Sequence, residues 1–110
     1  YGGAFPVWLA PVQVVLIPVA PAFGEYAAEV ARRLRQAGGR VESDLGEQRL
    51  NAKIRAAQTQ KVPFMGIVGE KERGAGTVSV RTRGGEQLGD LAVEKFIELL
   101  HDKEKSRELS

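Results

Sequence analysis

The 110-residue chain has no cysteine, one histidine (His101), one methionine and one tryptophan. Without cysteine there is no disulfide framework for a small secreted module, no thiolate zinc site and no cysteine nucleophile. Long apolar runs are also missing. The longest, Val12 to Pro21, is interrupted by Gln13 and falls short of the roughly 20 residues that span a bilayer. No basic residue precedes it and no methionine opens the chain, so it does not read as a signal peptide, and no membrane partner is expected. There is no internal repeat and no low-complexity tract. A 43% hydrophobic and 27% charged composition excludes a largely disordered chain. The length suits one hydrophobic core. A start at Tyr1 gives the expectation of a piece of a longer protein.

What is present is an alternation of apolar runs and amphipathic stretches. Gly2 to Pro11 is loop-like, with Phe5 and Trp8 beside prolines. Val12 to Pro18 is a β-branched run of the kind buried on both faces of a sheet. Glu25 to Ala37 places Tyr26, Val30 and Leu34 four apart, which predicts a helix, and Gly38-Gly39 stops it. Arg40 to Leu45 predicts a second strand, Leu50 to about Gln60 a second helix and Val62 to Val68 a third strand. Gly69 to Gly76 reads as a polar, hairpin-like turn. Thr77 to Thr82 alternates, with Val78, Val80 and Thr82 on one face and Ser79, Arg81 and Arg83 on the other. A loop over 84–89 holds room for a short strand near Gln87. Ala92 to His101 predicts the last helix, with a charged tail after it.

The order β-α-β-α-β-β-α implies a parallel core of three strands. The connection to the fourth strand is too short for a crossover, so that strand runs antiparallel. The fold class is α/β: a mixed sheet covered by helices in one domain.

The net charge of +2 conceals an uneven distribution. Residues 1–48 carry net −1, residues 49–83 net +6, and residues 84–110 net −3. The basic third includes Arg49, Lys53, Arg55, Arg81 and Arg83. Arg49 and Lys53, four apart, share a helical face, opposite the buried face of Leu50 and Ile54. Arg81 and Arg83 leave the same side of strand four. Such a patch suits phosphates, and an arginine fork also pairs with a guanine edge. A solvated helix face with lysines guarding a sheet edge accounts for the same charges. The aromatics Phe5, Trp8, Phe23 and Phe64 sit beside proline or apolar runs, which favours packing over base stacking.

Catalytic chemistry is hard to assemble. His101 lies at a helix end without a Ser or Cys motif. Glycines 69, 74 and 76 lack the lysine and following helix of a phosphate-binding loop. Glu42 with Asp44, and Glu70 with Glu72, are spaced as acid pairs but have no histidine or metal-ligand partner. No catalytic residue is assigned.

Taken together, these stretches resemble the C-terminal anticodon-binding domain of bacterial threonyl-tRNA synthetases. The likeness rests on the opening from Tyr1 to Gln13, Lys53-Ile54-Arg55, Lys61 to Met65, Val68 to Glu72, and Val78 to Arg83, and extends to about Leu100. It implies a three-layer mixed sheet of about five strands, mostly parallel with one antiparallel, flanked by three helices. It also implies boundaries: residues 1–11 as a junction from a catalytic domain, 12–101 as the anticodon-binding domain and 102–110 as a tail.

In function the resemblance implies the recognition end of a threonine–tRNA ligase that docks on the anticodon loop of threonine tRNA. Arg81 would donate to the middle guanine, and Glu72 would accept from an adjacent base. Glu47, where the family carries an amide-type side chain, would be a third base contact. Arg49, Lys53, Arg55 and Arg83 would hold the RNA backbone. The run Gly46 to Arg49 departs from the family's usual Arg-Asn-Glu-Lys-like pattern, and an accessory module that binds protein is the alternative. No cofactor belongs to these residues. ATP, magnesium and zinc would serve the catalytic domain in cis of a cytoplasmic, homodimeric parent, while the chain alone would be monomeric.

Overall fold

The computed structural model describes Ala10 and residues 12–46 and 48–106. The expected junction (Ala10 apart), the end of the tail, Phe5, Trp8 and Glu47 lie outside the described residues. The elements are β1 (Val14–Pro18), a 3-10 turn (Pro21–Phe23), α1 (Gly24–Gln36), β2 (Val41–Ser43), α2 (Leu50–Thr59), β3 (Phe64–Val68), α3 (Glu70–Ala75), β4 (Thr77–Thr82), β5 (Gln87–Ala92) and α4 (Val93–Ser106).

Five strands form one sheet in the order β2-β1-β3-β4-β5. β1 pairs in parallel with β2 and β3, and β4 pairs antiparallel with both of its neighbours. One strand, β4, therefore runs against the other four, as expected. The alternation of side chains along each strand builds a core on either face. Val14, Leu16, Phe64, Val68, Val78 and Val80 pack with Ala27, Val30 and Leu34 of α1 and Val93, Phe96 and Leu100 of α4. Val15, Ile17, Met65 and Ile67 pack with Ile54 and Ala57 of α2 and with Val62. The result is three layers: α1 and α4, the sheet, and α2.

The β-branched run of β1 is buried along its whole length because both faces are covered. In β3, Gly66 lets the first layer close. A Cβ there would lie 2.6 Å from Leu16 Cδ2 and 2.7 Å from Val78 Cγ1. Beside it, Phe64 and Phe96 meet edge to face with ring centroids 6.0 Å apart.

Two elements differ from the sequence reading. Residues 69–76 are not a hairpin-like turn. They form the short helix α3, capped where the Gly69 N–H donates to Glu72 Oε1 at 2.8 Å and closed by Gly76 at φ 71°. The strand near Gln87 is a full six-residue β5. A bulge separates the pairs Val80–Gly89 and Arg81–Gln87, leaving Leu88 as the extra residue.

Candidate nucleic-acid interface

β4 supplies the central side chain. Val78 and Val80 face the α1–α4 layer, so Ser79 and Arg81 project to the opposite face, beside Met65 and Ile67. Arg81 is half-buried, and its Nε is buried with no hydrogen-bond partner among the described residues. A guanidinium N–H withdrawn from water without an acceptor carries a desolvation penalty. An acceptor brought in from outside the chain removes that penalty.

Arg81 pairs with Met65 near the amino end of β3, whereas a separate opening lies at the carboxyl ends of β1 and β2. Here Pro18, Val19, Leu45, Gly46, Gln48 and Arg49 line a crevice of about 360 Å³. Val19 and Leu45 are 44% and 58% exposed, the two large apolar side chains left in water among the described residues. Such a crevice, where successive helices leave the sheet on opposite faces, is the usual ligand position in an open α/β sheet. Gly69 closes one side: a Cβ there would come within 3.0 Å of Val19 Cγ2.

The structure places the expected site residues unevenly. Arg49 is exposed at the N-cap of α2, and Arg55 is exposed on the same helix. Glu72 lies in α3, where one carboxylate oxygen is committed to the Gly69 N–H. Arg83, one residue past β4, donates from its backbone to Pro63 O at 3.0 Å and from Nη1 to Lys61 O at 3.4 Å. Burial lowers its pKa from the ordinary arginine value. It also lines a groove of about 540 Å³ with Phe64, Leu88 and Leu99. Arg81 and Arg83 are thus not a simple pair on one strand face.

Lys53 differs most from expectation. It is 5% exposed, and its Nζ donates to the carbonyl of Asp44 at 3.1 Å. It therefore belongs with Ile54 and Ala57 on the covered side of α2, not on an exposed basic stripe with Arg49. The physical reason is that a lysine stem packs as hydrocarbon while its ammonium reaches a carbonyl. Of the acid pairs, Asp44 uses Oδ1 to accept the Gly46 N–H at 3.2 Å, and Glu42 lines the same small cavity. His101 Nε2 hydrogen-bonds Ala37 O at 2.7 Å, tying α4 to the end of α1. Among the described residues no three His, Asp or Glu side chains gather into a metal site, and no helix is long and apolar enough to cross a membrane.

Sequence reasoning missed the short helix and two of its ties. Lys71 bonds Asp90 of β5 at 2.8 Å, which raises the Lys71 pKa through that hydrogen bond and the neighbouring charge. Arg73 stacks over Phe23, 4.9 Å from the ring centre. The spacing Gly69-x-x-Glu72 was the available signal, since a glycine N-cap followed three residues later by Glu is a helix-start pattern.

The described residues thus form a three-layer α/β domain with an arginine on β4 and an open crevice at its strand ends. Residues 13–103 match the model of the anticodon binding domain family, and the chain belongs to that family. Two relatives and one solved structure narrow the likeness. The threonine–tRNA ligase of Treponema pallidum (strain Nichols) is 63% identical over 87 residues, covering 79% of this chain and 15% of that protein. The threonine–tRNA ligase of Borrelia turicatae is 50% identical over 110 residues, covering 99% of this chain and 19% of that protein. The RNA binding domain of threonyl-tRNA synthetase from Cryptosporidium parvum Iowa II superposes with a TM-score of 0.87 at 30% identity. That match covers 93% of this chain and 26% of the other. The chain thus spans less than a fifth of the length of these two ligases.

Proposed function

We propose that this chain is the anticodon-reading end of a threonine–tRNA ligase and holds threonine tRNA for aminoacylation by a catalytic domain outside these residues. The observation that carries the reading is Arg81: a guanidinium half-buried on β4, its Nε without an acceptor among the described residues. Guanine offers O6 and N7, the acceptor pair an arginine fork fits. Glu72 keeps one oxygen for a base amine after capping α3. Arg49, Arg55 and Arg83 bind phosphate and set the register of the loop. Glu47, between the crevice residues Gly46 and Gln48 in sequence, is the third base contact. In this reading ATP, magnesium and zinc serve the catalytic domain, the parent is a cytoplasmic homodimer, and the isolated chain is a monomer.

The test is binding of the chain to the threonine anticodon stem-loop and to a version with the middle base replaced. The native loop binds more tightly, and affinity falls as salt rises because phosphate contacts release counterions. Equal affinity for the two loops would sink the proposal.

A further inference from the structure

Lys53 is the least exposed charged side chain among the described residues, yet it touches no described carboxylate within salt-bridge distance. Its Nζ donates to the backbone carbonyl of Asp44, nine residues earlier. Asp44 is itself the hinge of the β2–α2 connection. Its N–H donates to Leu16 O at 2.8 Å, extending the β1–β2 ladder by one rung, and its Oδ1 accepts the Gly46 N–H at 3.2 Å. One side chain thus joins the body of α2 to the residue where the chain leaves the sheet. Lys53 also lines both neighbouring cavities: the 210 Å³ one with Glu42, Ser43 and Asp44, and the 360 Å³ crevice with Leu45, Gly46, Gln48 and Arg49. It forms the wall between them.

We infer that Lys53 is a positioning residue for anticodon recognition: its ammonium locks the Asp44 carbonyl and so sets the path of the chain over residues 44–46, instead of binding phosphate itself. A buried ammonium is costly, and at this position a methionine of similar length would fill the space without that cost. The charge is explained by the carbonyl it holds, with the carboxylates of Glu42 and Asp44 around the same cavity offsetting its field. Holding the carbonyl matters because Gly46, which follows it, is exposed and lines the crevice. A residue already held in place does not pay its ordering entropy when RNA arrives.

This inference rests on the anticodon-reading proposal, and the experiment separates the two. Lys53→Met, Lys53→Arg and the wild-type chain are compared by amide hydrogen exchange without RNA. Each is then titrated with the threonine anticodon stem-loop and its middle-base variant across a salt series. Lys53→Met is expected to lose exchange protection at Gly46 while the β1 and β3 amides keep theirs. Its preference for the native loop should fall about tenfold, with an unchanged salt slope. Lys53→Arg, which retains a cationic donor, should preserve Gly46 protection and most of the preference.

Unchanged protection at Gly46 in Lys53→Met overturns the clamp. A salt slope reduced by about one with the preference intact makes Lys53 a phosphate contact and overturns the positioning role. Failure of the wild-type chain to prefer the native loop overturns the anticodon reading and the recognition role together, while Gly46 protection still decides the clamp on its own.

Discussion

Arg81 lies directly across the β3–β4 ladder from Met65, whose side chain is completely buried. The apolar neighbour offers the guanidinium no acceptor, and the strand holds its base in place. The arginine is therefore oriented by the sheet and left polar at its tip, which is what a reader of base edges requires.

Replacing Arg81 by Met separates these two properties. The stem remains and the buried donor goes, so stability should change by less than about 0.5 kcal/mol or rise slightly, since an unsatisfied donor has been removed. Binding of the threonine anticodon loop should weaken by about 1–3 kcal/mol. Parallel urea melts and RNA titrations report the two effects. A large stability loss would mean that Arg81 has a structural partner.

Glu72 has two roles that different substitutions divide. Glu72→Gln keeps a carbonyl oxygen for the Gly69 N–H, so α3 should survive while any charged contact to a base is lost. Glu72→Ala removes the cap as well and should cost about a further 1 kcal/mol of stability. Thermal melts and RNA titrations of both variants give the split.

Gly66→Ala tests the tightest point of the core. A new Cβ at 2.6–2.7 Å from Leu16 and Val78 has nowhere to go, because both neighbours are themselves fully buried. The expected loss is about 1–3 kcal/mol by urea unfolding, with RNA preference unchanged in the folded fraction.

Glu94 gives a pH-dependent prediction. A hydrogen bond from its own backbone N–H, then the paired Arg33 guanidinium, lowers its pKa from the ordinary carboxylate value. A carboxyl whose folded pKa lies below its unfolded one contributes stability above the unfolded value. That contribution is lost as pH falls through the folded value. Glu94→Gln should therefore reduce stability at neutral pH and flatten its decline below the normal Glu range. Because Glu94 is fully exposed, the effect should be small and should shrink with added salt. Melts from neutral to acid pH, at low and high salt, check this.

Much of the fold was legible in the chain. The run at Val14–Pro18 predicted a strand covered on both faces, and the short β3–β4 connection predicted that β4 runs antiparallel to β3. The alternation Val78-Ser79-Val80-Arg81 placed the arginine on the sheet face opposite Val78 and Val80. Less legible were the pieces held by a few polar ties. α3 is six residues long, too short to show a helical period, and its cap signal is one glutamate. β5 carries a glycine and an aspartate at its centre, and it exists because β4 pairs with it.

Residue types and their spacing alone determined the order of helices and strands, the mixed sheet and the concentration of basic charge in residues 49–83. Those follow from local periodicity and composition, which need no partner. Tertiary structure decided which of those charges have hydrogen-bond partners within the chain. It buried Lys53 against the Asp44 carbonyl, turned Arg83 toward Lys61, and left the Arg81 Nε without an acceptor among the described residues. The physical reason is that a charge's role depends on whether its hydrogen-bond partners come from within the chain, and those partners lie far away in sequence or meet only at the junction of two elements.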